Sequence, residues 1–382
     1  MTNKMNRNVQ EAMRLMQTGD LHAATQVLQR GLGRDNASAL ATPPTTQPPA
    51  KHAFFDGQYR VVPDGDGDAV RESSVTERAE EDVREDPGAG FHEHVFTCDA
   101  GTLHYKLFVP AGLGAAAPPF ILMLHGCTQS PDDFARGTRM NELAQKNGYV
   151  VAYPAQASSN NAGKCWNWFR SGDQQRGRGE PALLAALTRH LIVARSLDAN
   201  RVFVAGLSAG GAMAVVLGTT YPDIFAAIGV HSGLPYGAAH DLPSAFAAMK
   251  QGARRSGANP AAAYARPIPA IVFHGDRDTT VDACNGEAVV AQCMGEKDFH
   301  GDKNMRSTVE QASMPGGRSY ARTTFVDPDG GTAAEYWVVH GAGHAWFGGS
   351  ASGSYTDPSG PDASEHMIRF FSTVRRRSHS DS

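Results

Sequence analysis

The sequence RVFVAGLSAGGAMAVVL, residues 201–217, decides the fold. Its first five residues form a short apolar run typical of a buried strand, and the residues that follow Gly210 favour a helix. Ser208 stands between the two in the pattern Gly-x-Ser-x-Gly, in which Gly206 and Gly210 let the strand and the helix approach closely. Such a turn is tight and strained, and it presents the hydroxyl above the sheet. We therefore predict that Ser208 is a catalytic nucleophile, with a purely structural turn as the alternative.

Apolar strands alternate with helices through the rest of the chain. Strands are expected at 120–124, 149–153, 201–205, 226–230, 270–273 and 335–339, after a hairpin formed by 94–97 and 103–109. Helices are expected at 132–147, 180–196 and 362–375. This alternation predicts an α/β fold with a mainly parallel central sheet and helices on both faces. The active site should then lie at the carboxyl ends of the strands.

Changes in composition divide the chain into four segments. Residues 1–33 have apolar spacings that suit an N-terminal helical hairpin. Residues 34–90 are rich in proline and acidic residues and predict a flexible linker. Residues 91–376 are expected to form the catalytic domain, and residues 377–382 a disordered tail.

Composition narrows the classes of partner and location. The chain has 382 residues and a formal net charge of −4, which gives no indication of a nucleic-acid partner. No apolar run approaches the roughly 18–20 residues that span a membrane. The first thirty residues lack the apolar core of a secretory signal, so the sequence by itself predicts a cytoplasmic protein. Five cysteines without a CxxC pair predict neither a disulfide scaffold nor a metal site.

A serine hydroxyl is a weak nucleophile and needs a general base. In this fold class the chain order is serine, then acid, then histidine. His344 lies in a glycine-rich loop directly after the last predicted strand, where it could lean over Ser208. His340 still belongs to the end of that strand, and His231 and His274 come too early in the order. We predict that His344 is the base.

The acid should follow the strand that precedes the last one. The sequence after residues 270–273 offers Asp276 and Asp278. Asp276 is close to the strand end and could hold the loop through backbone N–H groups, whereas Asp278 lies further out, within reach of His344. We predict that Asp278 orients the histidine, with Asp276 as the fallback and Asp282 as a helix cap.

Two backbone N–H groups are needed to stabilise an oxyanion. Ala209, directly after the nucleophile, is expected to supply one of them. The loop His125-Gly126-Cys127-Thr128-Gln129 after the 120–124 strand is expected to supply the other, with the Cys127 N–H as the leading candidate. These residues together predict acyl transfer through a serine triad.

With these motifs in place, the chain resembles the polyhydroxybutyrate depolymerase-like esterases, which are similar to acetylxylan and feruloyl esterases. The resemblance covers about residues 91–373 and rests on 124–129, 164–169, 206–213, 274–278, 343–346 and 353–363. It implies the α/β-hydrolase fold and a carboxylic ester hydrolase that uses no metal or other cofactor. It also leaves an extracellular location open.

The resemblance extends to residues around the site. It implies that the segment containing Cys165 lies beside the oxyanion loop, so a disulfide from Cys127 to Cys165 is an option, although buried free thiols remain the first interpretation. Trp166 and Trp346 would flank the ester, with a core position as the alternative. Tyr236 could line the same cleft, again with a core position as the alternative.

The expected substrates are short-chain hydroxyalkanoate oligomers, above all of 3-hydroxybutyrate, or the polyester itself. No appended substrate-binding domain is recognisable, which favours soluble esters over crystalline polymer. The alternatives are a feruloyl or acetylxylan esterase, a generalist short-chain carboxylesterase and, from another class, a non-catalytic binding protein with a hydrolase fold. Phe347 stands where similar esterases carry a small polar residue, and we expect it to alter the mouth of the pocket.

Overall fold

The structure is a computed structural model that describes residues 88–253, 267–295 and 305–376. The predicted helical hairpin, nearly all of the predicted linker and the predicted C-terminal tail lie outside these residues. The first described strand, β1, begins at Gly90, next to the predicted start of the catalytic domain at Phe91.

Ten strands form one mixed sheet in the order β1-β2-β4-β3-β5-β6-β7-β10-β9-β8. The six central strands, from β4 to β10 in this order, run parallel, and antiparallel strands extend both edges. The strands are β1 Gly90–Cys98, β2 Gly101–Val109, β3 Phe120–Leu124, β4 Val150–Pro154, β5 Val202–Leu207, β6 Ala227–His231, β7 Ala270–Gly275, β8 Arg306–Ser313, β9 Ser319–Val326 and β10 Thr332–Val339. A separate two-stranded sheet pairs β11 Trp346–Phe347 with β12 Thr356–Asp357. The predicted mainly parallel sheet is confirmed.

Helices cover both faces of the sheet. They are α1 Pro131–Thr138, α2 Met140–Asn147, α3 Gly179–Ala194, α4 Ala209–Thr220, α5 Leu242–Gln251, α6 Cys284–Met294 and α7 Ala363–Ser372. Successive residues of β3 alternate between two apolar clusters, because side chains of a strand point to opposite faces. One cluster is completed by α3, α4, α5 and α6, and the other by α1, α2 and α7.

The helix expected at 132–147 is two helices, α1 and α2, and the single-helix prediction was wrong. Arg139 separates them with a left-handed backbone at φ 56° and donates its N–H to the Ala135 carbonyl, as a left-handed helix cap does. The cause is tertiary: a Cβ atom on Gly137 would lie 3.0 Å from the Thr356 side chain, and the Gly137 carbonyl accepts the Ser350 N–H at 2.8 Å. The chain therefore turns where α1 meets the loop before β12.

Some elements were not predicted. The β8–β9 hairpin extends one edge of the sheet, and β8 is exposed along nearly its whole length, so its sequence shows no alternation of apolar and polar residues. The helix α5 was also missed, and α6 was anticipated only through the predicted cap Asp282, although Ala283 is the residue that caps it. No helix among the described residues is both long enough and apolar enough to cross a membrane.

Candidate active site

The turn between β5 and α4 carries Ser208. Its backbone lies at φ 58° and ψ −117°, an unfavourable region for a residue with a side chain, and its N–H donates to the His231 carbonyl at 2.8 Å. The flanking glycines are required by space: a Cβ atom on Gly206 would overlap the Gly210 carbonyl, and one on Gly210 would overlap the Leu124 carbonyl oxygen. The motif therefore folds as a strained strand–turn–helix unit, packed against the end of β3.

Asp278 and His344 form a hydrogen-bonded pair. The His344 Nδ1 lies 2.6 Å from Asp278 Oδ2, while Asp278 Oδ1 accepts the N–H groups of Thr280 and Val281 at 2.8 and 2.9 Å. Burial by itself opposes ionisation of Asp278, but the bond and charge of His344 and the Val281 N–H outweigh it and hold the pKa of this carboxyl below its usual value. An ionised Asp278 accepts the proton on Nδ1, so Nε2 of neutral His344 is left as the basic nitrogen.

His231 connects Ser208 to the loop that carries His344. Its carbonyl accepts the Ser208 N–H, and its Nε2 accepts the Phe347 N–H at 3.1 Å. The ring is fully buried, and burial holds its pKa well below the usual range, so it stays neutral. Among the described residues, no hydrogen bond joins the Ser208 hydroxyl to His344, a contact that often tightens only when substrate binds. The sequence did not assign His231 this connecting position.

Asp276 occupies a different place from Asp278. Its carboxylate accepts the Gly341 N–H at 2.7 Å and the Nδ1 proton of His340 at 2.9 Å. It thereby holds the start of the loop that carries His344, through a backbone N–H as the sequence suggested. Asp282 accepts the Cys284 N–H at 3.0 Å, in the first turn of α6.

The loop after β3 lies beside the nucleophile turn. A Cβ atom on Gly126 would lie 3.5 Å from the Leu207 carbonyl oxygen. The Cys127 N–H has no acceptor among the hydrogen bonds of the described residues, and Ala209 is the first residue of α4, so its N–H has no intrahelical acceptor. The two N–H groups predicted for an oxyanion are therefore both free of backbone partners. Cys127 and Cys165 form a disulfide, so the option that the resemblance implied is correct and the first interpretation of these two residues as buried free thiols was wrong.

Buried polar side chains that the sequence did not single out hold this loop. Gln129 accepts the Gly126 N–H at 2.9 Å and donates to Asp133 at 3.2 Å and to the Ser354 carbonyl at 3.1 Å. Asp133 in turn accepts the Ser354 N–H at 3.0 Å. The two contacts with Ser354 join residues more than two hundred positions apart, and no local pattern in the sequence could indicate them.

The three predicted substrate-contacting aromatic residues lie deeper than expected. Trp166 and Trp346 are each 1% exposed, and their indole N–H groups donate to the His125 carbonyl and the Ser364 hydroxyl. Both therefore take the core position that the sequence also allowed. Phe347 is fully buried against His231, so the expectation that it alters the pocket mouth was wrong. Tyr236 is partly buried, and its hydroxyl donates to the Gln174 carbonyl at 2.5 Å.

The parallel sheet, the strained serine turn after β5 and the acid and histidine after β7 and β10 together define an α/β hydrolase. Across 88–253, 267–295 and 305–376, no three His, Cys, Asp or Glu side chains are grouped to hold a metal ion. An acetyl xylan esterase from Aspergillus awamori has the same fold, with a TM-score of 0.54 over 75% of this chain and all of that chain, at 19% identity.

Comparison with known sequences then identifies the family. The family model described as "Esterase PHB depolymerase" matches residues 103–312, more than half of the chain, and the chain belongs to this family. It is 33% identical to poly(3-hydroxyalkanoate) depolymerase C of Paucimonas lemoignei over 260 residues, which are 65% of this chain and 60% of that protein. It is 31% identical to feruloyl esterase B of Thermothelomyces thermophilus over 198 residues, 48% of this chain and 67% of that protein.

Proposed function

We propose that the protein is a serine carboxylic ester hydrolase that works through Ser208, His344 and Asp278 and a covalent acyl-enzyme. The observation that carries this proposal is the 2.6 Å bond from His344 Nδ1 to the buried Asp278, on the loop that His231 ties to the strained Ser208 turn. That arrangement supplies a nucleophile, an oriented base and a fixed negative charge behind the base.

The proposed reaction has two half-cycles. His344 Nε2 takes the Ser208 proton as the hydroxyl oxygen attacks the ester carbonyl, and the N–H groups of Cys127 and Ala209 stabilise the negative charge on the carbonyl oxygen. The tetrahedral intermediate collapses, and the alcohol leaves with the proton from His344. Water then attacks the acyl-enzyme with help from the same base, which releases the acid and restores Ser208.

Short-chain hydroxyalkanoate esters, above all 3-hydroxybutyrate oligomers or the polyester, are the substrates we favour. The family description and the likeness to a poly(3-hydroxyalkanoate) depolymerase support this choice. The second candidate is a feruloyl or acetylxylan ester, supported by the matches to feruloyl esterase B and to the protein named "Probable acetylxylan esterase A" of Aspergillus clavatus, which is 28% identical over 268 residues. A generalist short-chain carboxylesterase is the third.

The test compares wild type, Ser208→Ala and Ser196→Ala. Ser196 also has a positive φ, 48°, but it lies exposed beyond the end of α3. Its variant therefore controls for the effect of placing alanine at a position with positive φ. We expect Ser208→Ala to lower kcat by roughly 10⁴–10⁶-fold and Ser196→Ala to leave it unchanged. A Ser208→Ala enzyme with more than a tenth of the wild-type rate would refute the proposed nucleophile.

A substrate panel ranks the candidates: 4-nitrophenyl acetate, butyrate and octanoate, methyl ferulate, and a 3-hydroxybutyrate trimer. Fastest cleavage of the trimer supports the hydroxyalkanoate proposal. Preference for methyl ferulate or for acetate supports the second or third candidate. A protein that hydrolyses none of these esters, and whose Ser208 does not react with a fluorophosphonate, would instead be a non-catalytic binding protein.

The Cys127–Cys165 disulfide is relevant to the cellular compartment in which the protein works. We infer that the protein works in an oxidising compartment, because disulfides are rare in the reducing cytosol and the Cys127–Cys165 bond lies beside the proposed oxyanion site. This inference favours the extracellular alternative over the cytoplasmic one. Protein isolated from its native source under denaturing, non-reducing conditions should react with three maleimides rather than five.

A further inference from the structure

Residues with a left-handed backbone are concentrated around the candidate active site. Seven described residues other than glycine have positive φ, and two of them, Arg139 and Ser196, lie where helices end. The other five are Thr128, Lys164, Ser208, Ser232 and Tyr355. Such backbones are unfavourable and persist at functional sites where the surroundings enforce them. Ser208 and Ser232 belong to the nucleophile turn and to the end of β6 beside it, which leaves three residues without an assigned role.

These three residues meet at the oxyanion loop. The Thr128 N–H donates to the Gly163 carbonyl at 2.7 Å, next to Lys164. The Thr128 hydroxyl lies 3.3 Å from the Tyr355 hydroxyl. The Cys127–Cys165 disulfide binds the same two segments covalently. Thr128, Lys164 and Tyr355, which we call the rim, therefore surround the segment that carries the proposed oxyanion donor.

The rim includes a lysine without an ion-pair partner among the described residues and an exposed aromatic ring. Lys164 is half-buried and has no ion-pair partner among the described residues, in contrast to Lys106, which lies 2.5 Å from Asp132. Tyr355 is 48% exposed, the largest aromatic exposure among the described residues of this region.

Two ionisable groups in or beside the oxyanion loop, His125 and Asp133, do not neutralise the ammonium. His125 is neutral: burial, opposed by a bond to the Gly126 carbonyl and assisted by the charge of Lys164, lowers its pKa to about 4. The carboxylate of Asp133 is already engaged by Gln129 and by Ser354. A half-buried, unpaired cation beside an ester-cleaving site suits an anionic group of the substrate.

We propose that Lys164 and Tyr355 bind the free carboxylate at the end of a linear hydroxyacid oligomer. This proposal rests on the proposed esterase function and adds a preference within it. When the last ester of such an oligomer is cleaved, the leaving alcohol is a hydroxyacid whose carboxylate lies only a few bonds from the scissile oxygen. Lys164 would pair with that carboxylate and the Tyr355 hydroxyl would donate to it. Methyl ferulate and simple acetate esters have no such group.

The experiment uses two forms of one substrate, the 3-hydroxybutyrate trimer with a free carboxylate and the same trimer as its methyl ester. The readout is the ratio of kcat/KM for acid over methyl ester. We expect wild type to prefer the acid by roughly two- to fivefold, the range for a partly exposed ion pair. Lys164→Met should bring the ratio to about one, and Lys164→Arg should retain most of the preference. Sodium chloride at about 1 M should reduce the wild-type ratio, because salt screens the pair.

If Lys164 has only a structural role, Lys164→Met should lower kcat/KM for both trimers by the same factor. An acid-to-methyl-ester ratio that stays at the wild-type value would therefore overturn the subsite. A wild-type ratio near one, with Ser208→Ala inactive, overturns the subsite and leaves the esterase proposal intact. If wild type cleaves 4-nitrophenyl esters but neither trimer, both the subsite and the hydroxyalkanoate preference are wrong, while the esterase chemistry stands. Melting temperatures of the variants identify any that fail to fold.

Discussion

Two aspartate–histidine pairs occur on the same two loops, and we propose a catalytic role for only one of them. The Asp278–His344 pair has a 2.6 Å bond, with side chains that are 0% and 11% exposed. The Asp276–His340 pair has a 2.9 Å bond, with side chains that are 38% and 45% exposed. The two aspartates are two positions apart and the two histidines four. Residue type and spacing alone could therefore not distinguish the pairs.

The difference lies in the surroundings of each carboxylate. Asp278 is excluded from water, and backbone N–H groups occupy one oxygen, so the charge on the other acts through low dielectric on His344 at 2.6 Å and on the buried His274 at 3.6 Å. The Asp276 carboxylate contacts the Gly341 N–H, the His340 ring and solvent, and an ion pair exposed to solvent contributes little. In our proposal the Asp278–His344 pair therefore orients the general base, whereas the Asp276–His340 pair fixes the start of a loop.

The largest expected effect comes from Asp278→Asn. The amide would have to donate to or accept from His344 Nδ1, and an amide N–H there would hold the ring with its proton on Nε2, the wrong tautomer for a base. We expect kcat with 4-nitrophenyl butyrate to fall by roughly 10³–10⁴-fold, and the melting temperature to fall as well, because the ionised carboxylate stabilises the folded state. A loss smaller than tenfold would show that the buried pair is not the catalytic one.

Asp276→Asn is the matched variant and should have a moderate effect. Its amide oxygen can still accept the Gly341 N–H, so the loop keeps one of its two contacts. We expect kcat to fall by less than about tenfold and the melting temperature by about 1–3 °C. If this variant loses more than a hundredfold in kcat while Asp278→Asn does not, the roles of the two aspartates are reversed.

The smallest effect should appear in the stability at acid pH. Burial opposes ionisation of both aspartates, but their hydrogen bonds and neighbouring charges hold both pKa values below the usual one. Each therefore binds its proton less readily when folded, and its stabilisation is complete above about pH 4 and lost as the pH falls through the folded pKa. The gap in melting temperature between wild type and either asparagine variant should narrow from pH 5 to pH 3. A gap that widens over this range would contradict the direction of both shifts.

The sequence predicted the local features and those that depend on strand order. The Ser208 turn could be predicted from the adjoining strand and glycines, and Asp278 and His344 from their places after successive strands. The sequence could not reveal that His231 contacts both catalytic loops, because its role depends on a carbonyl and a ring nitrogen that meet partners from different segments. The sequence also could not reveal the burial of Trp166, because the residues around a tryptophan near an active site do not indicate whether its side chain faces the cleft or the core.

The break between α1 and α2 at Arg139 also depends on a long-range contact that the sequence does not show. Residues 132–147 favour one helix, and only the contact of Gly137 with the loop before β12 divides it. The β8–β9 hairpin is the converse case, an exposed extension that buries too little to impose an apolar pattern. The periodicity of apolar residues therefore shows neither a contact between distant segments nor a strand that is too exposed to carry an apolar pattern.

The position of His231 has a consequence for engineering. Because its carbonyl holds the Ser208 turn and its ring holds Phe347, a chimera that imports a relative's terminal loop inherits a requirement for a backbone N–H at that point. A loop with proline at position 347 would break this bond, whereas the bond from the Ser208 N–H to the His231 carbonyl would remain. Grafts intended to change specificity should therefore retain residues 340–347, and they should also retain Ser354 and Thr356, which contact the oxyanion loop and β11.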